Sequence, residues 1–218
     1  MLAGEAVVAI WNGIAAAGRE TFYGWHIQEH MPERVGIPGF RRGRRYIAAD
    51  GETHPEFFTL YEADTMQVLQ GSDYANRLNA PTPWTKAATA HFTDTSRALA
   101  RVRTSLGPGC GGALLTIRFA DADLDALRTM LAEAAARPRV CGAHLCVADA
   151  DASAVRTAES RDRTDILASP PAFVMIEATG ADALRNQLDE AALARAGVTQ
   201  PRRGVYVLEY TRGKTAWT

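Results

Sequence analysis

The chain of 218 residues carries 24 basic and 25 acidic side chains, a net charge of −1, and is 47% hydrophobic and 22% charged. That is enough apolar material to bury a core in one large domain or two small ones, and it excludes a disordered chain. The near-balanced charge, with no long run of one sign, excludes a nucleic-acid or polybasic membrane surface; the basic cluster Arg41, Arg42, Arg44 and Arg45 is short and broken by Gly43.

Cys110, Cys141 and Cys146 lack metal-ligand spacing and read as reduced thiols, which points to the cytoplasm. The apolar opening, residues 1–18, has no basic region and is interrupted by Glu5 and Asn12, so it reads as a strand of the mature protein and not as a signal peptide. No apolar stretch approaches the ~20 residues that a transmembrane helix needs.

In chain order, residues 5–14 predict a strand rich in Val, Ile and Trp, and 19–31 a helix that stops at Pro32. Residues 41–49 and 56–63 predict a hairpin across the turn 50–55. Asp64 is the predicted N-cap of a helix to about Leu78, with a possible break at Gly71 and Ser72. Pro81 and Pro83 make 79–85 a rigid loop, and a strand at 96–105 follows. After the linker-like 106–112, the order of elements recurs: strand 113–119, helix 121–136, strands 139–148 and 171–179, helix 181–195 and strand 204–211.

Each half, 1–106 and 107–218, therefore reads βαββαβ, a ferredoxin-like pattern in the α+β class. A four-stranded sheet with helices on one face leaves the other face bare, so two such halves are expected to pack sheet to sheet within the chain.

The stretch "FYGWHIQEHMPERV", 22–35, holds the strongest chemical signal. At ~100° per residue Trp25, Phe22, His26, His30, Tyr23 and Ile27 share one arc, with both histidines at its middle and Glu29 between Trp25 and Phe22. Imidazoles on an apolar face need partners or a function. The matching helix of the second half has Leu124, Leu127 and Leu131 in its stripe and no histidine, so the first half is expected to carry the site and the second to cover it.

"HIQEH" also matches H-x-x-E-H, in which two His bind zinc and the Glu activates water, but a third ligand is required and no Glu lies between Glu62 and Glu133. The plainer alternative for either histidine is a core residue satisfied by a backbone carbonyl.

"WHIQEHMPERVGIPGFRRGRRY", followed by "FFTLYEA", "YANRLNAPTPWT" and "HF", resembles the dimeric α/β-barrel superfamily, especially its EthD-like and related bacterial members. The likeness covers about the first 105 residues; the second half fits by element order, which would make the chain an internal pseudo-dimer. The resemblance implies a pocket between sheet and helices, used across the superfamily by cofactor-independent monooxygenases, cyclases and isomerases and, with haem, by peroxidases and chlorite dismutases.

Candidate catalytic residues are His26, His30 and Glu29, one histidine acting as general base with Glu29 orienting it. Candidate substrate-binding residues are Asn12, Tyr23, Trp25, Arg44, Tyr46, Tyr61, Trp84 at a pocket mouth, and His91. His54 and His144 read as turn and strand residues with no role. The expected function is a small cofactor-independent enzyme, an isomerase, cyclase, lyase or monooxygenase, acting on an apolar, aromatic or polyketide-like small molecule. Alternatives are a haem enzyme with a pocket histidine as axial ligand and a non-catalytic small-ligand binder. No metal or cofactor, nucleic acid or membrane is expected as partner, and the chain is a pseudo-dimeric monomer or a homodimer.

Overall fold

Every position of β1 (Ala6–Ile14) up to Trp11 is apolar, and the computed structural model, which describes residues 1–215, shows why: the odd positions face one way and the even positions the other, and both sides are covered. After it come α1 (Arg19–Trp25), a π turn (His26–His30) and α2 (Met31–Gly36) as one continuous helical stretch. Pro32 does not end this stretch as expected. It falls in the first turn after the π turn, where its missing N–H breaks no established ladder.

β2 (Phe40–Ala48) and β3 (Phe57–Ala63) form the expected hairpin. The predicted helix over 64–78 divides at Gly71 into α3 (Met66–Gln70) and α4 (Ser72–Asn79), and Thr65, not Asp64, precedes it. Where a rigid loop was expected at 79–85, α5 (Pro83–Thr89) begins. Thr82 caps it by accepting from the Thr85 amide at 2.9 Å, and Pro83 at the helix start loses nothing. β4 is longer than predicted, Phe92–Leu106.

The remaining elements are β5 (Ala113–Phe119), α6 (Leu124–Ala135), β6 (Val140–Ala148), α7 (Ala150–Ala154), β7 (Ala172–Ala178), α8 (Glu190–Arg195) and β8 (Arg202–Gly213). The predicted helix over 181–195 is a 3₁₀ turn, Ala181–Leu184, separated from α8. Between α7 and β7 runs an irregular strap, residues 155–171, to which the periodicity of the sequence assigns no element.

The strands close into one antiparallel barrel in the order β1-β3-β2-β8-β5-β7-β6-β4. The strands of residues 1–106 are thus arranged β4-β1-β3-β2 and those after them β8-β5-β7-β6, the same permutation twice. The two sheets are paired along both edges, through β2 with β8 and β4 with β6. The barrel is solid. Trp11 lies 5.0 Å from Phe58 and 5.2 Å from Phe173, ring centre to ring centre, and donates its Nε1–H to Thr116 Oγ1 at 3.1 Å. Helices cover the outside: Leu127 and Leu131 of α6 seal one sheet, and Met31 and Val35 of α2 part of the other. Trp84, at the solvent side of α5, is 36% exposed. Most of its surface is nonetheless covered, so Trp84→Ala should lower the unfolding free energy by about 1–2 kcal/mol in a denaturant titration. None of the described helices is long and apolar enough to cross a membrane.

Candidate functional site

Because the barrel interior is filled, the main cavity lies outside it, between the outer face of β1 and β3, the helical stretch 19–36 and the strap. Its volume is about 530 Å³. The strands present Ile10, Asn12, Thr59 and Tyr61; the helical stretch presents Phe22, Trp25, His26, His30 and Arg34.

The π turn occupies His26–His30 itself, a distortion common where a helix carries function. The two imidazoles sit face to face at 5.4 Å with planes 31° apart, and His30 stacks on Trp25 at 4.2 Å. Tyr61 meets His30 edge-on at 6.1 Å. Both histidines are buried, 3% and 5% exposed, yet Nδ1 of neither has a hydrogen-bond partner; the backbone-satisfied core histidine is not what these rings form. Tyr61 OH and Arg34 Nη1 are likewise buried and without partners. These four groups line one cavity.

Burial dominates the acid/base properties of the histidines. Desolvation, then the positive charges of Arg45 and Arg34, hold His26 well below its ordinary value; desolvation, Arg34, His26 and Arg77 do the same for His30. Both are therefore neutral at pH 7, able to accept a proton. Burial pushes the Tyr61 phenol up, against the pull of Arg34, so it stays an O–H donor.

Glu29 does not join the histidines. Its carboxylate accepts from Thr82 Oγ1 at 2.6 Å and Thr85 Oγ1 at 3.2 Å, and Thr85 in turn accepts from Trp25 Nε1 at 3.1 Å. It braces the indole on which His30 stacks. Among the described residues no group of three His, Cys, Asp or Glu side chains lies close enough to hold a metal ion. His26, His30, Tyr61 and Tyr74 are cavity side chains of the kinds that ligate a haem iron.

Of the other expected residues, Asn12, Trp25 and Tyr61 line the cavity, whereas Tyr23, Arg44, Tyr46, Trp84 and His91 do not. Tyr23 is half-buried under the Arg45 guanidinium, 4.8 Å from its ring centre. His91 packs beside Gly18 at the start of the helical stretch. Ile27, placed by periodicity on the buried arc, is 38% exposed, because the π turn rotates the helix face. Arg44 and Tyr46 point into the barrel, where Arg44 is locked between Glu62 and Glu177. His144, expected to have no role, donates its Nε2–H to that Glu177 carboxylate at 3.2 Å, and its Nδ1 pairs with Ser105 Oγ at 3.0 Å.

No protein-family model matches the chain, and no curated protein sequence matches it. Among solved structures it is similar to an anthrone oxidase-like protein, with a TM-score of 0.62 and 14% identity over 95% of this chain and 92% of that one. A protein assigned as a monooxygenase from Fusobacterium nucleatum gives 0.56 at 8% identity over 98% and 96%. A chlorite dismutase from Candidatus Nitrospira defluvii gives 0.50 at 11% over 94% and 90%. The shared fold is a closed eight-stranded antiparallel barrel with helices outside it. At these identities the likeness is one of fold, and activity must be argued from the site.

In this α+β barrel the cavity's outer wall is the strap, which sequence reasoning missed. Arg34 forms a buried ion pair with Glu159, and the Glu159 amide donates to Leu78 O at 3.1 Å. Further along, Asp165 O accepts from the Thr95 amide at 3.0 Å, and the Leu167 amide donates to Thr95 O at 2.7 Å. Arg34 itself was detectable: it follows His30 by four residues and so lies over the same face. Glu159 was not, since its partner is 125 residues away. Glu159→Gln would leave the Arg34 charge buried and uncompensated. Hydrogen exchange of amides 158–167 is then expected to speed up by on the order of tenfold, about 1.4 kcal/mol of lost local protection.

Proposed function

We propose that the protein is a small-molecule enzyme that removes a proton from an apolar, aromatic or polyketide-like substrate seated against Trp25, Phe22 and Tyr61. One observation carries this reading: the side chains of His26, His30, Arg34 and Tyr61 line one void of about 530 Å³, and each holds a buried polar atom with no protein partner. Polar groups buried without partners cost a few kcal/mol, a cost that a guest supplying the missing hydrogen bonds offsets.

The chemistry follows from the charge states. A neutral imidazole, His30 or His26, takes the proton; the resulting enolate or phenolate oxygen accepts hydrogen bonds from the Arg34 guanidinium and Tyr61 O–H, in a cavity whose aromatic walls exclude water. The anion then takes its proton back at another atom, giving isomerisation; or its carbon attacks a carbonyl of the same molecule, closing a ring as the proton passes to the new alkoxide; or its carbon adds dioxygen to form a hydroperoxide that takes the proton and loses water to leave a carbonyl. The fold shared with an anthrone oxidase-like protein and a monooxygenase supports the oxidative branch. The first half, residues 1–106, carries the base, and the second acts as its covering partner, closing the cavity with the strap. The repeated strand permutation supports two ferredoxin-like halves of duplicated origin, and the motif of residues 25–46 supports an EthD-like affiliation within the superfamily.

The test is incubation of the purified protein with a panel of enolisable and phenolic polycyclic compounds, following absorbance and oxygen consumption. Turnover that survives chelator supports the reading. Saturable binding with no product from any member would leave a ligand-binding protein, and a Soret band in the isolated protein would assign the histidines to haem.

A further inference from the structure

The two ends of the barrel interior handle charge in opposite ways. At one end Arg44 is enclosed by two carboxylates, Glu177 at 2.7 Å and Glu62 at 3.0 Å, with Arg42 on Glu62 at 2.8 Å, so the positive charges are compensated. At the other end Arg118 of β5 and Arg202 of β8 are directly opposed partners in the antiparallel ladder, and both project on the interior side. Like charges in that position repel. Among the described residues neither forms an ion pair.

Arg118 is only 7% exposed, with its guanidinium 4.9 Å from the centre of the Trp11 ring. It has one hydrogen bond, from Nη2 to His54 O at 3.3 Å, and its buried Nε has no partner. Burial, and then Arg202 against the opposing pull of Tyr206, depress its pKa, the mark of a cation short of a counter-charge. Beside the pair is a second cavity of about 320 Å³, bordered by Ser96, Gln200 and strap residues 167–171, and separate from the histidines. Arg118 Nη1 forms no hydrogen bond among the described residues, and a guanidinium with N–H groups left over is suited to receive the oxygens of an anion.

We propose that this barrel mouth is an anion site, in which Arg118 and Arg202 together clamp the oxyanion group, carboxylate or phosphate, of a small molecule. The buried arginine supplies the fixed fork, and the exposed Arg202 closes from the solvent side.

The probes are inorganic phosphate and succinate, each compared with chloride at equal ionic strength, with melting temperature and titration calorimetry as readouts. At least one anion should raise the melting temperature saturably. Phosphate alone would mark a phosphoryl group as the natural occupant, succinate alone a carboxylate. Arg202→Ala should weaken binding at least tenfold and remove the shift while leaving the protein, in chloride, no less stable than the wild type, because the opposed charges are gone. Arg118→Met should remove the shift as well. The proposal fails if neither anion stabilises beyond chloride, if the shift persists in Arg202→Ala, or if it disappears only in Arg97→Ala; Arg97 of β4 lines the histidine cavity, and that outcome would place the anion there.

Discussion

Replacing His30 or His26 with glutamine is expected to lower turnover of an accepted substrate by about 10²–10⁴-fold at the position that acts as base, the range for loss of a general acid or base. The same variant should bind an unreactive analogue within a few-fold of the wild type, since glutamine keeps polarity near the Trp25 and Phe22 walls. A residue that only held the cavity open would move affinity and turnover together. The pH profile adds a second readout. The base works as neutral imidazole, and burial with Arg34 and Arg45 keeps both histidines well below the ordinary ~6.5. Activity should therefore rise with pH on a limb lying below 6.5 and be level from there through neutrality. A limb centred near 7, or full activity in both single variants, would remove the histidines from the mechanism.

The second large effect is on stability. Glu177→Leu is expected to cost about 3–5 kcal/mol, because Arg44 and His144 would be left facing an apolar group inside the barrel. For a chain of this size that is a fall of roughly 6–20 °C in melting temperature. Although burial works to raise it, hydrogen bonds from His144 and the Arg44 charge hold Glu177 down at about 2. Its folded value is thus below the ~4.3 of an unfolded glutamate. The stabilisation is present above that unfolded value and is lost as pH falls through about 2. Acid unfolding of the wild type should be steep across that window, and the variant should lack this part of the slope. Pairing Arg44→Met with Glu177→Leu should recover much of the loss, because no charge is then stranded. If the double variant is as unstable as the single, the cluster stabilises by packing and not by charge.

These two experiments fall on residues with different legibility in the sequence. The histidines were readable because a helix repeats its facing every few residues, and His26 and His30 fell on the apolar arc between Phe22 and Tyr23. The strands were readable from Val, Ile and aromatic runs, and their recurrence predicted a repeated order of elements. Glu29 was placed on the right helix with the wrong partner. Projection gives the angle of a side chain but not what α5 brings to meet it.

Arg44 shows the same boundary more sharply. Alternation along β2 puts it on one face with Tyr46, and that much is local. Whether that face meets substrate or a carboxylate depends on Glu177, 133 residues away and across the closed barrel. The sequence alone therefore determined the strands and the order in which they follow, and the burial of the histidine face, because these depend on neighbours within a few residues. Only the tertiary structure decided that the barrel interior is solid, that the cavity lies outside it under the strap, and that Arg34 shares it with Tyr61. Each of those facts rests on contacts between distant segments, which local periodicity does not encode.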